Sequence, residues 1–425
     1  MITERLLQYI WQFQYFNKRS LQTTSGEEVQ ILFPGTFNTN QGPDFLDARL
    51  QLGATMWAGH VELHLSTSLW FQHRHHLDKN YTGVVLHVVW QHDMQELPGN
   101  IPVLALQDRV SKILLEQYAV WMNGQVTIPC GEQLTRVKRI VWLTWKERLL
   151  IERLQRKSEQ VFAFLQQNNQ HWEETFWWMV ARNFGIKVNA DAFQQIAHSI
   201  SINILARHKT QLQQIESLLL GQAGLLTEDL QDKYSTMLRK EYHFLRHKYS
   251  IQPIHHTVQF LRMRPGNFPT VRLAQLAMLI HQSEHLFSKI KETTSIVDLK
   301  AMLNVTAGDH WHYHYTLENE SGYKPKKLGE AMTENIIINT IAPVIFAYGH
   351  LHKDDILKDR ALRWLETLSP ENNSITQSFR QLGCQNLTAF DSQSLIELKN
   401  NYCNEKRCLD CAVGNAILKQ SIVSV

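Results

Sequence analysis

The residues whose types and spacing could do chemistry fall in two short runs, Gly42-Pro43-Asp44-Phe45 and Gly59-His60-Val61-Glu62-Leu63-His64. Each run reads as a strand carrying an acid, and Gly53 between them marks a turn, so hairpin pairing brings Asp44 and Glu62 to the same sheet edge. Two carboxylates a few ångströms apart hold a hard divalent cation, Mg²⁺ or Mn²⁺. Glu62 and His64 lie two residues apart, on one face of their strand, where His64 can ligate the metal or donate to a substrate oxygen. That is the layout of a metal-dependent phosphodiesterase, with Asp44 and Glu62 as metal ligands and His64 as the third catalytic residue.

Pro43-Asp44 followed by Glu62-Leu63-His64 resembles the motif of the PD-(D/E)XK nuclease superfamily, with His64 standing where that superfamily has lysine. The resemblance covers roughly the first 95 residues. It implies an αβββαβ restriction-endonuclease-like core, hydrolysis of phosphodiester bonds and a nucleic-acid partner. It also gives Glu4 and Gln8, one turn apart on a first helix, the place of an acid that many such proteins bring to the metal. An ordinary first-turn glutamate favoured by the helix dipole is the alternative. Over its whole length the sequence is similar to an uncharacterised bacterial family, a domain of unknown function.

These residues need a sheet and a flanking helix to hold them. Residues 2 to 16 place Leu6, Leu7, Ile10, Trp11 and Phe13 on one helical face, with Thr3 as N-cap. Residues 28 to 33 alternate as a strand, the two motif strands follow, and Ser66 opens a helical turn that ends before Gly83. Val84 to Trp90 is a nearly continuous apolar run, as in a strand buried on both faces. The order is therefore helix, three strands, helix, strand. Between Trp70 and Asp93 lie His73, His75, His76, Asp78, His87 and His92. His73, His76 and Asp78, about one helical turn apart, are possible supporting groups, although a lone histidine is more often a surface or core residue.

Residues 94 to 128, with Pro98, Gly99, Pro102 and a short helix over Val110 to Trp121, read as extension and linker. After Cys130 the pattern is helical almost to the end, with helices over 136 to 164, 171 to 184, 190 to 207, 210 to 222 and 228 to 248. The basic residues from Arg136 to Lys157 could track a phosphate backbone or form a solvated face interleaved with acids. Arg262, Arg264 and Arg272 bracket the Pro265-Gly266 turn and the start of the next helix, as a phosphate seat or as arginines that pair locally. His310, His312 and His314 share a face if extended, as zinc ligands or as part of an aromatic stack. The predicted organisation is α+β overall, with a nuclease-like domain over 1–128, a large all-α region over 129–380 and a cysteine-bearing helical tail over 381–425.

The tail carries a second signal: Cys384, then Cys403, Cys408 and Cys411. Three thiols within nine residues and one from further off make four ligands for Zn or an iron–sulfur cluster, and free structural thiols are the alternative. Five cysteines in 425 residues do not make a secreted disulfide framework. The start lacks a basic region leading into an apolar stretch, and no run approaches the roughly 20 apolar residues of a span, so a cytoplasmic protein with no membrane partner is expected. Residues 1 to 128 carry 8 Lys+Arg against 11 Asp+Glu, and the remainder 35 against 29, within a total of +3. An acidic module beside a more basic body suits a metal site with a polyanion clamp. Three classes stay open: a metal-dependent nuclease, a non-catalytic nucleic-acid-binding or scaffold protein on a degenerate nuclease core, and a metal or redox protein built on the cysteines.

Overall fold

The computed structural model describes residues 2–94, 100–255 and 258–423, so Pro98 and Gly99 of the expected linker lie outside it. The chain is mixed α+β and divides into two compact units: Met1–Trp145 with Gln377–Cys384 and Ile396–Val425, and Lys146–Thr376 with Gln385–Leu395.

In the first unit, α1 (Glu4–Gln12) starts where the Thr3 hydroxyl accepts from the Leu6 N–H at 3.2 Å, a cap worth about 1 kcal/mol. It buries Leu6, Leu7, Ile10 and Trp11. The helix ends short of residue 16, because Gln14 takes a positive φ of 53° and leaves Phe13 44% exposed. The sheet runs β1-β3-β4-β5-β6, with β2 paired to β3. Its strands are β1 (Val29–Phe33), β2 (Thr36–Phe37), β3 (Phe45–Leu52), β4 (Thr55–Ser66), β5 (Val84–Gln91) and β6 (Val103–Ala105). β3 and β4 are antiparallel, and the Leu52–Thr55 pair closes a two-residue turn at Gly53, whose φ is 54°. The register slips between Phe45 and Ala48 around Asp47, itself at φ 58°, a bulge that re-aims the start of β3.

β5 lies parallel to β4, reached through α2 (Leu69–Gln72) and two short 3₁₀ turns, His75–Leu77 and Lys79–Tyr81. A crossover of this length is what parallel neighbours require. The expected helix–strand order is present, with β2 and β6 added: Val103–Ala105 pairs parallel to β5 inside what had read as linker. α3 (Lys112–Asn123) follows.

The C-terminal residues do not form the separate tail expected over 381–425. Helix Ala412–Val423 packs against α3 within the first unit, and Gln385–Leu395 belongs to the second. Leu409, Val413, Ile417 and Leu418 are all under 9% exposed, an apolar face that an independent tail would leave in water.

The second unit is helical: among its described residues the only β pairings are two isolated bridges, Thr306–Lys327 and His314–Glu320. Its core gathers Trp177, Phe184, Phe193, Trp311 and Ile336–Ile338. On α4 (Arg139–Gln167) two of the cations are held within the protein, Lys146 by Asp391 and Lys157 by Asn339, at 2.7 and 2.8 Å. Among the described residues one helix, Glu330–His352, is long and apolar enough to cross a membrane, and 72% of its most apolar window is buried in the protein, as in a core helix.

Candidate metal centre

The two motif acids meet at the sheet edge. Asp44 directly precedes β3, where Phe45 pairs with Val61, so its backbone N–H donates to Glu62 Oε2 at 2.9 Å. The Leu63 N–H donates to Asp44 Oδ2 at 3.2 Å, and α1 brings Gln8 Nε2 to Asp44 Oδ1 at 2.8 Å. Gln8 therefore lies beside Asp44. Glu4, one turn earlier, sets its Oε1 4.0 Å from His64 Nε2.

The free oxygen of Glu62 faces histidines. His64 Nε2 lies 3.5 Å from Glu62 Oε1, 3.1 Å from His73 Nδ1 and 3.3 Å from His75 Nε2, and His75 Nε2 is 3.4 Å from the same carboxylate oxygen. The donor atoms of His64, His73 and His75 all lie within 4.8 Å of one another. Metal–nitrogen bonds of 2.0–2.1 Å to one tetrahedral ion put its donors roughly 3.3 Å apart, close to the spacings of His64 Nε2 from His73 and His75, 3.1 and 3.3 Å. A neutral imidazole carries a single N–H, so His64 Nε2 cannot satisfy three such neighbours with protons. A cation at their centre can. Behind His64, its Nδ1 meets His87 Nε2 at 2.9 Å, a contact that fixes the orientation of the ring. Tyr81 stacks on His75 with centroids 3.8 Å apart.

Burial sets the protonation states. His64 is 1% exposed, and desolvation with the neighbouring imidazoles lowers its pKa to about 2; the same causes bring His75 to about 4 and His87 to about 3. All three are neutral at pH 7 and competent as ligands. Burial raises the pKa of both Asp44 and Glu62, and their mutual repulsion adds to the rise at Glu62. At Asp44 the hydrogen bonds from Gln8 and the Leu63 N–H and the charge of Arg5 offset part of that rise.

His75 takes the place that helical spacing had given to His76. Arg74 adopts φ 61° and breaks the helix after α2, so residues 73 and 75, not 73 and 76, face one point. His76 is exposed and lies on the Phe71 ring, and Asp78 caps the turn at the Asn80 N–H, 2.9 Å. The three arginines of the second unit do not converge. Arg262 and Arg264 are exposed, whereas Arg272 is 8% exposed and donates to Gln275 and Asn267 at 2.9 and 2.6 Å. His310 stacks on His314 and Tyr234, 4.0 and 4.2 Å between centroids, the aromatic alternative of the two. Cys403, Cys408 and Cys411 line one small cavity, joined there by Cys130, which the sequence reading left unused. Cys384 is buried and does not line it.

Fold and site together define a two-unit α+β protein with a histidine–carboxylate centre at the edge of its sheet. The chain belongs to the family described as a protein of unknown function (DUF2851), which it matches over residues 4–374. That span holds the histidine centre and ends before Cys384. No curated protein and no solved structure matches the chain.

Proposed function

We propose that this protein is a metal-dependent phosphodiesterase acting on nucleic acid, on a restriction-endonuclease-like core, with its ion held by His64, His73, His75 and Glu62. The observation that carries the reading is the clustering of three imidazole nitrogens within 4.8 Å of one another, with Glu62 Oε1 at 3.5 and 3.4 Å from His64 and His75, beside Asp44. Three nitrogen donors suit Mn²⁺ or another divalent transition ion and serve Mg²⁺ poorly. Such an ion polarises a phosphoryl oxygen and makes hydroxide available from water near neutral pH. The chain's own groups orient and relay. The Asp44 backbone N–H holds Glu62 Oε2, leaving Oε1 for the ion, while Gln8 and the Leu63 N–H hold Asp44 itself. Glu4, with a 41% exposed side chain, is the acid on the open side and can accept a proton from the attacking water. A net charge of +6 over residues 129–425 and five cysteines free of disulfides support a polyanionic partner and a cytoplasmic setting.

A second reading draws on the same geometry: three imidazoles with a carboxylate beside two of them are the donor types of a structural metal site, and would suit a non-catalytic nucleic-acid-binding protein. Cleavage separates the two. Single- and double-stranded DNA and RNA are incubated with the protein and Mn²⁺, Mg²⁺, Zn²⁺ or Co²⁺, beside Asp44→Asn and His75→Ala. Metal-dependent cleavage that both substitutions abolish without loss of the circular-dichroism signal is the expected result. Stoichiometric metal with no cleavage of any substrate overturns the phosphodiesterase and leaves the structural site.

A further inference from the structure

All five cysteines are buried and none is in a disulfide. Four of them, Cys130, Cys403, Cys408 and Cys411, line one small cavity in the first unit, with Phe379 and Tyr402 among its walls. They come from two segments far apart in the chain. Cys130 follows Pro129 just before a 3₁₀ turn (Gly131–Arg136), and Cys403 ends a π-helical turn, Lys399–Cys403, a distortion that often marks a functional position. From there the chain turns at Lys406, φ 49°, and presents Cys408 and Cys411 three residues apart. Gly414 then passes so close that a Cβ there would run into the Cys408 carbonyl.

Free buried cysteines usually act as small hydrophobes scattered through a core. Here the thiols stand close enough to repel one another electrostatically as thiolates: Cys130 feels Cys411, Cys403 and Cys408, and Cys403 feels Cys411, Cys408 and, more weakly, Cys384. Burial raises the Cys411 pKa to about 11, and the backbone N–H groups of Gly414 and Val413 and the Trp145 side chain, which donate to its sulfur, oppose that rise. Arg407 lines the same cavity, its guanidinium 4.7 Å above the Tyr402 ring.

We propose that Cys130, Cys403, Cys408 and Cys411 hold a thiolate-bound metal centre, zinc or iron–sulfur, that ties the C-terminal segment to the first unit. The assignment is independent of the histidine centre and of any nuclease activity. Cys130 replaces Cys384 as the distant fourth ligand, because Cys384 neighbours Cys403 without lining the cavity. The two metals make opposite demands. The free space, ≈ 10 Å³, takes a single ion. The three-donor group within 4.8 Å mutual reach among the described residues is the histidine one, so the sulfurs must draw together to reach the roughly 3.8 Å set by Zn–S bonds of about 2.3 Å. An iron–sulfur cluster spans a wider set of thiolates and needs a larger cavity.

The test uses the full chain purified without oxygen. Iron, zinc and acid-labile sulfide are quantified, and X-ray absorption at the edge of the metal found counts its sulfur neighbours in the unaltered protein. Expected is one centre per chain with an all-sulfur shell: iron with matching sulfide identifies a cluster, zinc alone identifies a single-ion site, and either supports the proposal. Cys130→Ser should then lose that metal and Cys384→Ser keep it, and His75→Ala should leave it in place. Absence of any metal with an all-sulfur shell overturns the proposal. So does retention in Cys130→Ser, or loss in Cys384→Ser, a comparison that holds even if the Cys130 variant does not fold.

Discussion

His64 is where the chemistry of single residues decides the reading. A lysine there would restore the residue of the PD-(D/E)XK pattern, but His64 Nε2 sits among His73, His75 and Glu62 as a donor, with Nδ1 held by His87. An ammonium has no lone pair to give. His64→Lys is therefore expected to weaken Mn²⁺ or Zn²⁺ binding beyond the roughly 10–100-fold that losing a mere orienting partner costs, measured by calorimetric titration. Unchanged affinity with retained cleavage would show that His64 acts on the phosphate instead. The same burial gives metal-free protein a signed pH dependence. His64, His75 and His87 fall below their ordinary 6.5 on folding, so their contribution to stability is present above about pH 6.5 and is lost as pH drops toward their folded values. Asp44 and Glu62 rise above 3.8 and 4.5, so their cost grows in the opposite direction as pH climbs past those values. Added Mn²⁺ should raise Tm most around pH 7–8, where the histidines are neutral and the carboxylates are being forced to ionise. Asp44→Asn should raise the stability of the metal-free protein at pH 8 by roughly 1–2 kcal/mol, about 1.4 kcal/mol per pKa unit of relieved repulsion. A lower Tm for this variant at pH 8 would contradict that electrostatic account.

At the scale of elements, the parallel pairing of β4 with β5 sets the site, because it aligns Glu62 with His87 and His64 with Val89. The pairing needs Gly59. A Cβ there would lie 2.5 Å from Val85 Cγ1 and 2.6 Å from the Gly83 carbonyl oxygen, which the His60 N–H bonds at 2.8 Å. Gly59→Ala is expected to cost about 1–3 kcal/mol, as overpacking does, and to displace Glu62 and His64 together. A thermal melt and a metal titration read the two effects, and an unchanged Tm would show that the strands separate there without penalty. α1 acts on the other side of the site by carrying Glu4 and Gln8.

For the whole molecule, the division into units matters because the first is built from three stretches of chain. Removing residues 381–425 takes away helix Ala412–Val423, whose Val413, Ile417 and Leu418 are buried, together with the Arg5–Asp410 ion pair at 2.8 Å. Burial of each such side chain contributes about 1.5–3 kcal/mol, so three together, about 4.5–9 kcal/mol, are comparable to the whole margin of many domains. Limited proteolysis of a chain ending at residue 380 should show rapid cleavage within residues 1–145. A protease-resistant fragment of that span would mean that the segment is dispensable.

The sequence by itself determined the local features: the Thr3-capped helix, the Asp44–Glu62 hairpin with its turn at Gly53, the apolar β5 strand and the helical remainder. Each follows from periodicity and turn chemistry, which act between residues close in the chain. Glu62 beside His64 was legible for the same reason, one strand repeat away, whereas Gln8 near Asp44 came only as what the resemblance implies. Only the tertiary structure decided that His75 and not His76 joins His64 and His73, because one left-handed residue, Arg74, rotates everything after it. It alone brought His87 behind His64 through a parallel crossover, split residues 381–425 between two units, and set Cys130 beside Cys403, Cys408 and Cys411. Those juxtapositions depend on which apolar faces bury against which, and no spacing along the chain records that choice.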